Sequence, residues 1–379
     1  MFATVSPQHL QPDFLARVKR GYRHALENVS TTGMWADIGG RHRAIHGALM
    51  SDGVEDLRRI FADPASADLY HGMGSLWMRP VDEPSAFEDR GQDQNLRAQL
   101  ELLIRIVEPE AREPADISAL DQYLNQRVEF PDPFQGEGGY RTTRGIAGYH
   151  ALQAIYQTWR LLSCLNGQPD RSVVEIGPGM GRTVYYAYRA GLTDYTTIDL
   201  PLGIVAQACF LGAVLGPEKL FLPGDDPAQA SGRIKLLSAG SLPTAKFALA
   251  LNADSLTEMP WHAALGYLEW INCNLGAFLS VNHKWNYFTV AEVASVAFPA
   301  APVTAREYPM RDGYVEELFL LRQQSASRRT APINRFFLQA KVASRRAASF
   351  TRHPRIPFAL RDATARLLLR SRSSSQGFR

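Results

Sequence analysis

The sequence is poor in cysteine and lacks the spacings that would indicate a disulfide framework or a zinc cluster. Its 379 residues include three cysteines, Cys164, Cys209 and Cys273, and these form no C-x-x-C pair. This cysteine usage is typical of a reducing compartment. The first residues, MFATVSPQHLQPDF, show no basic segment followed by an apolar core, so no signal peptide is predicted. We therefore expect a cytoplasmic protein.

A long apolar run and a uniform excess of one charge are also missing. The most apolar stretch, residues 202–216, is shorter than the ~18 residues of a membrane-spanning helix, so it predicts a buried core helix. The net charge of +3 combines a basic tail, residues 323–379 at +12, with an acidic body at −9. No RNA-recognition motif is present, so no specific nucleic-acid partner is expected. The tail alone could contact an anionic surface.

The apolar spacing divides the chain into four segments. Residues 1–130 carry apolar residues at a spacing of ~3.6, which predicts a helical N-terminal domain that covers a substrate pocket. Residues 131–145 concentrate proline and glycine and predict a linker loop. Residues 146–322 alternate β-branched strands with helices, which predicts an α/β fold with a doubly wound, mostly parallel, Rossmann-like sheet. Residues 323–379 predict a basic, partly disordered tail.

The most informative stretch is VVEIGPGMGRT, residues 173–183, where a predicted strand runs into a glycine-rich turn and a helix. Glycine lets a backbone approach a ligand closely, and a helix N-terminus favours an anionic group. A dinucleotide fingerprint counted from Gly177 would need Gly or Ala at position 182, where this chain has Arg182. A phosphate-binding loop would need G-K-[ST], which is missing.

What remains is an acidic residue two positions before G-x-G-x-G, followed by a strand that ends in Asp199, eighteen residues after Gly181. This pattern resembles motif I and the second strand of class I S-adenosylmethionine-dependent methyltransferases. The segments NADSLTEMP, after the predicted fourth strand, and VNHKW, after the fifth, resemble bacterial proteins described as sugar O-methyltransferases. The resemblance covers about residues 136–322. One departure is the absence of the family's acidic residue near the adenine, expected around SAGSLP.

The resemblance implies a set of residues that bind S-adenosylmethionine. In it, Asp199 binds the ribose hydroxyls and Glu175 orients the amino group of the cofactor through the glycine turn. Backbone at Gly240 or Ser241 would hold the adenine. The whole set comprises Glu175, Gly177, Gly179, Gly181, Asp199, Leu200, Gly240, Ser241 and Asn252.

Three further residues follow predicted strand ends and are candidates for proton transfer. His283 is the predicted base, because a neutral imidazole accepts a proton near neutral pH. Asp254 and Glu258 are four residues apart, so they share a face if the segment is helical. They would orient the imidazole or bind a second hydroxyl of the acceptor. The same three residues could instead hold Mg²⁺, and Asp254 could simply cap a helix; we predict no metal.

Taken together, the residues and the resemblance predict methyl transfer from S-adenosylmethionine to a hydroxyl of a small-molecule acceptor, a sugar or glycosylated metabolite. Two alternatives stay open. The acceptor could be a non-sugar natural product or a protein, or the chain could be a catalytically silent partner protein that keeps the cofactor fold. The sequence does not indicate the oligomeric state.

Overall fold

A computed structural model describes residues 7–27, 29, 42–70, 90–110, 116–135 and 137–321, together with a few residues of the C-terminal segment. Residues 1–329 form one compact unit and residues 330–379 a second. The predicted basic tail, residues 323–379, lies almost wholly outside the described residues. No helix within the described ranges is long and apolar enough to span a bilayer.

The helices fall into an N-terminal group and a group that alternates with strands. The N-terminal helices are α1 (Pro12–Leu26), α2 (Arg43–Met50), α3 (Glu55–Ala62), α4 (Arg90–Val107) and α5 (Ser118–Leu124). The second group comprises α6 (Tyr149–Cys164), α7 (Arg182–Arg189), α8 (Pro201–Val214), α9 (Ser255–Glu258), α10 (Trp261–Asn274) and α11 (Val290–Ala297). Short 3-10 turns span Pro7–Leu10, Pro217–Lys219 and Pro227–Gln229.

The strands form a hairpin and an eight-stranded sheet in the described part of the chain. The hairpin pairs β1 (Tyr140–Thr142) with β2 (Gly145–Ala147). The sheet contains β3 (Val173–Ile176), β4 (Tyr195–Asp199), β5 (Leu220–Phe221), β6 (Ile234–Ser238), β7 (Phe247–Ala253), β8 (Leu275–His283), β9 (Val303–Glu307) and β10 (Tyr314–Leu320).

The sheet order is β5-β6-β4-β3-β7-β8-β10-β9, and β10 runs antiparallel to both of its neighbours. The strands from β5 to β8 are parallel. If the strands β3, β4, β6, β7 and β8 are renumbered 1 to 5 in chain order, they lie in the sheet in the order 3-2-1-4-5. The strand order therefore reverses between β3 and β7, the position at which open α/β sheets bind their ligands. The predicted α/β class and mostly parallel sheet are confirmed.

Two parts of the predicted strand pattern were incomplete. The proline- and glycine-rich segment contains the hairpin β1–β2, closed by Thr142, whose hydroxyl accepts from the Arg144 N–H and donates to the Gly145 carbonyl. Gly145 has φ +109°, which only glycine adopts readily. The strands β5 and β9 were also not predicted. β5 has only two residues, too few for a pattern, and the edge strand β9 is fully exposed and lacks the apolar content of a buried strand.

The apolar core joins the N-terminal helices to the sheet. Helix α8 is buried on nearly all sides, which confirms the buried helix predicted from the apolar run. Phe14 of α1 lies so close to Gly212 of α8 that an added Cβ would come to 3.0 Å from its ring. Arg17 of α1 makes an ion pair with Asp225 at 2.7 Å. The domain boundaries drawn from the sequence at residues 130 and 146 stay a prediction.

A buried ion cluster connects helix α6 to the C-terminal hairpin of the sheet. Glu316 of β10 accepts hydrogen bonds from Arg160 at 2.9 Å, from Arg306 at 3.1 Å and from the Tyr156 hydroxyl at 2.7 Å. Its side chain is 3% exposed. The two arginines compensate the charge of the buried carboxylate, so this cluster fixes α6 against β9 and β10.

We expect Glu316→Ala to lower the free energy of unfolding by about 3 kcal/mol, because two partly buried guanidinium groups lose their shared partner. Urea denaturation measures the change. Glu307→Ala on the neighbouring strand is the matched control, since Glu307 is 74% exposed and pairs only with Lys284 in the ion pairs described. Equal losses in the two variants would contradict a stabilising role for the cluster.

Candidate functional site

A cavity of about 620 Å³ opens at the carboxyl ends of β3, β4, β6 and β7. Its position coincides with the reversal of strand order between β3 and β7. The walls come from the turns that follow these strands, from α6 and from α10. The fold therefore gathers at one edge residues that are far apart in the sequence.

The glycine turn forms the floor of the cavity. Gly177, Gly179 and Gly181 have φ values of +64°, +61° and +93°. A Cβ at Gly177 would overlap the Ser255 side chain, so glycine is needed there for close packing as well as for conformation. Gly177 and Gly179 line the cavity, whereas Gly181 is the N-cap of α7 and would meet Leu211 if it had a Cβ.

Asp199 lies on the cavity wall at the end of β4. Its carboxylate accepts hydrogen bonds from the Leu200 N–H and from Gln207 Nε2, both at 2.7 Å. Burial raises the pKa of Asp199 to about 7, although both hydrogen bonds act in the opposite direction. A Cβ at Gly203 would overlap this carboxylate, so the glycine in the first turn of α8 makes room for it.

Glu175 is buried at the end of β3, and its side chain points to the neighbouring strand. The carboxyl accepts a hydrogen bond from the Tyr195 hydroxyl at 2.7 Å. Burial raises the pKa of Glu175 to about 8, and the hydrogen bond from Tyr195 offsets only part of this rise. The residue contributes to the cavity wall.

The other predicted cofactor residues are divided between the cavity and its support. Leu200 and Gly240 line the cavity, and Ser241 does not belong to the described lining. Asn252 is fully buried: its Nδ2 donates to the Ile176 carbonyl at 2.8 Å, and its Oδ1 accepts from Asn282 Nδ2 at 2.8 Å. In this structure Asn252 therefore holds neighbouring strand ends together, and it is likewise outside the described lining.

Asp254 and Glu258 line the opposite side of the cavity, beyond β7. Asp254 has φ +68° and ψ −47°, a conformation that is rare for a residue with a Cβ. Its carboxylate makes an ion pair with Arg311 at 3.0 Å. Burial, and then the nearby charge of Asp254, raises the pKa of Glu258 above that of an ordinary glutamate, while Arg311 opposes the rise.

His283, the predicted base, ends β8 and is not among the described residues that line the cavity. Its Nδ1 accepts a hydrogen bond from the Trp285 N–H at 3.1 Å. Its ring contacts those of Trp285 and Tyr314, at centroid distances of 5.3 and 5.0 Å. A nitrogen that already accepts a backbone N–H must lose that bond before it takes up a proton. The predicted role of His283 has no support in this geometry.

Sequence reasoning missed the contribution of helix α6. His150, Gln153 and Gln157 line the cavity. Their spacing of three and four residues places them on one face, so a polar stripe in an otherwise apolar helix was the available signal. Arg182, used above only to exclude a dinucleotide site, also lines the cavity and is buried against Glu137. Tyr267 of α10 is another cavity residue that was not predicted.

No group of three histidine, cysteine, aspartate or glutamate side chains converges as metal ligands do within the described ranges. The polar side chains that line the cavity carry carboxyl, amide and hydroxyl groups, the imidazole of His150 and the guanidinium of Arg182.

No protein-family model matches the sequence, and no curated protein sequence matches it. Solved structures share parts of the architecture. An O-methyltransferase family protein from Burkholderia thailandensis is 12% identical, with 78% of this chain and 100% of that chain covered and a TM-score of 0.34. A candidate RNA methyltransferase from Pyrococcus horikoshii is 14% identical, with 54% and 95% covered and a TM-score of 0.30. TM-scores of this size assign no family, so the function is argued from this chain's own residues.

The buried carboxyl of Glu175 predicts a pH-dependent stability. Its pKa of about 8 in the folded protein lies above the ~4.3 of an unfolded glutamate. The folded state therefore keeps a proton that the unfolded state releases. The contribution of Glu175 to the free energy of unfolding is fully present below pH ~4 and is lost as the pH rises through about 8.

We expect Glu175→Gln to reduce the fall in the free energy of unfolding between about pH 5 and pH 8.5 by about 4 kcal/mol, since the amide does not ionise. Urea denaturation of wild type and variant at the two pH values measures the difference. Glu307→Gln is the exposed control. Parallel pH profiles for wild type and Glu175→Gln would show that Glu175 does not titrate abnormally.

Proposed function

We propose that this chain transfers a methyl group from S-adenosylmethionine to a hydroxyl of a polar small molecule, a sugar or glycosylated metabolite. The observation that carries the proposal is the cavity itself. The glycine turn after β3 and Asp199 after β4 line one side, and the carboxyl pair after β7 lines the other. Local sequence pattern and tertiary position thus agree on one site.

The residues present fit the cofactor. Each Asp199 oxygen accepts one hydrogen bond from the protein and keeps a second lone pair for a ribose hydroxyl. The positive φ values of Gly177 and Gly179 give a backbone surface without side chains. The N-terminus of α7 behind it favours a carboxylate. Once bound, S-adenosylmethionine would supply an electrophilic methyl group on a sulfonium.

The protein's part in such a reaction is positioning and proton acceptance. Asp199 and the glycine turn would hold S-adenosylmethionine, and the wall formed by α6 and α9 would hold the acceptor in line for displacement. The hydroxyl must lose its proton during or after attack. Glu258 and Asp254 are the carboxyl groups on the acceptor side of the wall. The raised pKa of Glu258 makes it a better proton acceptor than an ordinary carboxylate.

The polar character of that wall supports a hydroxyl-rich acceptor. His150 and Gln153 of α6 face the cavity together with Asp254 and Glu258. Carboxyl, amide and imidazole groups form directional hydrogen bonds with hydroxyls, which an apolar aromatic acceptor would leave unpaired. We therefore favour a carbohydrate over a phenol or polyketide.

The direct test is cofactor binding by calorimetry. We expect wild type to bind S-adenosylhomocysteine and Asp199→Ala to bind it more weakly by about 2–4 kcal/mol, because two charge-assisted hydrogen bonds are lost. Asp194→Ala is the matched control, since Asp194 precedes the same strand at its other end and pairs with Lys235. Failure of wild type to bind S-adenosylhomocysteine, or tight binding of NAD, would overturn the proposal.

A further inference from the structure

Arg311 lies in the turn between β9 and β10, outside the parallel part of the sheet, and contacts Asp254 of the cavity wall. Its guanidinium donates to Asp254 Oδ2 at 3.0 Å. The same group stacks over the Tyr314 ring, 4.1 Å from its centroid, and lies 5.9 Å from the ring of Tyr149 in α6. The packing on both sides restricts the guanidinium to the position in which it meets Asp254.

The backbone holds this turn in register with the end of β8. Tyr314 is paired with His283, and the Lys284 N–H donates to the Gly313 carbonyl at 2.9 Å. The Tyr308 N–H donates to the Tyr314 carbonyl at 3.0 Å, which closes the loop that carries Arg311. Arg311 is therefore held against Asp254 by a fixed hairpin.

The ion pair changes the electrostatics of the two carboxyl groups in different ways. Asp254 contacts the guanidinium directly, so its negative charge is compensated. No ion pair of Glu258 is found among the described residues. The charged and titratable groups that face Glu258 are Asp254 on its own turn, Arg311 and Tyr314 on the hairpin, and His150 on the cavity wall.

We propose that Arg311 is a positioning residue: by neutralising Asp254 it leaves Glu258 as the group whose proton decides the net charge of the acceptor side of the cavity. This inference rests on the proposed function. With His150 uncharged, that side is neutral when Glu258 is protonated and carries one negative charge when Glu258 is ionised. Release of the acceptor proton to Glu258 would thus return the site to its neutral state after each transfer.

The charge of this side can be measured without a known acceptor. S-adenosylmethionine has one methyl group more than S-adenosylhomocysteine, and its sulfur carries a positive charge. The ratio of the two dissociation constants therefore reports the electrostatic potential at the sulfur. Asp199 and Glu175 line the same cavity and also ionise in this interval, so they act on the sulfonium as well. The contribution of Glu258 is therefore the part of the pH dependence that Glu258→Gln removes. Calorimetry from pH 6 to pH 9 gives the ratio directly.

For wild type we expect the preference for S-adenosylmethionine over S-adenosylhomocysteine to rise about tenfold over this interval, as Glu258 ionises and attracts the sulfonium. Glu258→Gln should remove most of the rise. Arg311→Met should prefer S-adenosylmethionine already at pH 6, because the negative charge of Asp254 is no longer compensated. Any further rise in this preference should occur at higher pH than in wild type. Arg311→Lys, which keeps the positive charge, should behave like wild type.

Arg306→Met is the matched control, because Arg306 lies on the same hairpin but pairs with Glu316; its ratio should follow that of wild type. A wild-type ratio independent of pH, a rise that is undiminished in Glu258→Gln, or an Arg311→Met profile equal to that of wild type would each overturn the inference. If wild type binds neither ligand, the proposed function itself fails. Should Arg311→Met not fold, Glu258→Gln and Arg311→Lys still decide the matter.

Discussion

The site depends on one buried amide, that of Asn252. Its nitrogen donates to the carbonyl of Ile176, the last residue of β3, and to the Ser255 hydroxyl at the start of α9. Its oxygen accepts from Asn282 near the end of β8. Three strand ends and the turn that carries the carboxyl pair are thereby joined at the point where the strand order reverses. A buried amide with its partners satisfied stabilises one arrangement of these ends, since any slip would leave polar groups unpaired.

Around this junction the protein places carboxyl groups where water is scarce. Glu175, Asp199 and Glu258 all have raised pKa values, and burial is the largest cause in each case. Carboxyl groups in such surroundings destabilise the fold as they ionise, and a protein keeps them most often where they serve a ligand. The carboxylate of Asp254, next to Glu258 in the cavity wall, makes an ion pair with Arg311 of the β9–β10 hairpin.

The two sides of the cavity are built in different ways. The side with the glycine turn and Asp199 comes from consecutive strand–turn–helix units, in which the turn and the next strand end are close in the sequence. The opposite side combines α6 and α9, and Arg311 of the β9–β10 hairpin contacts Asp254 there. These elements come from residues 149–164, 255–258 and 303–320, so this side depends more on the tertiary structure than the first.

The local pattern of the sequence was sufficient for the alternating strands and helices, the glycine turn, Asp199 and the buried helix α8, because each is encoded by neighbouring residues. Tertiary structure alone decided which side chains meet. It places the amide of Asn252 in a strand junction, turns the polar face of α6 toward the cavity and brings Arg311 to Asp254. The spacing along the chain indicates which residues of α6 share a face, but the partners that these side chains meet depend on sheet order and on the path of distant segments.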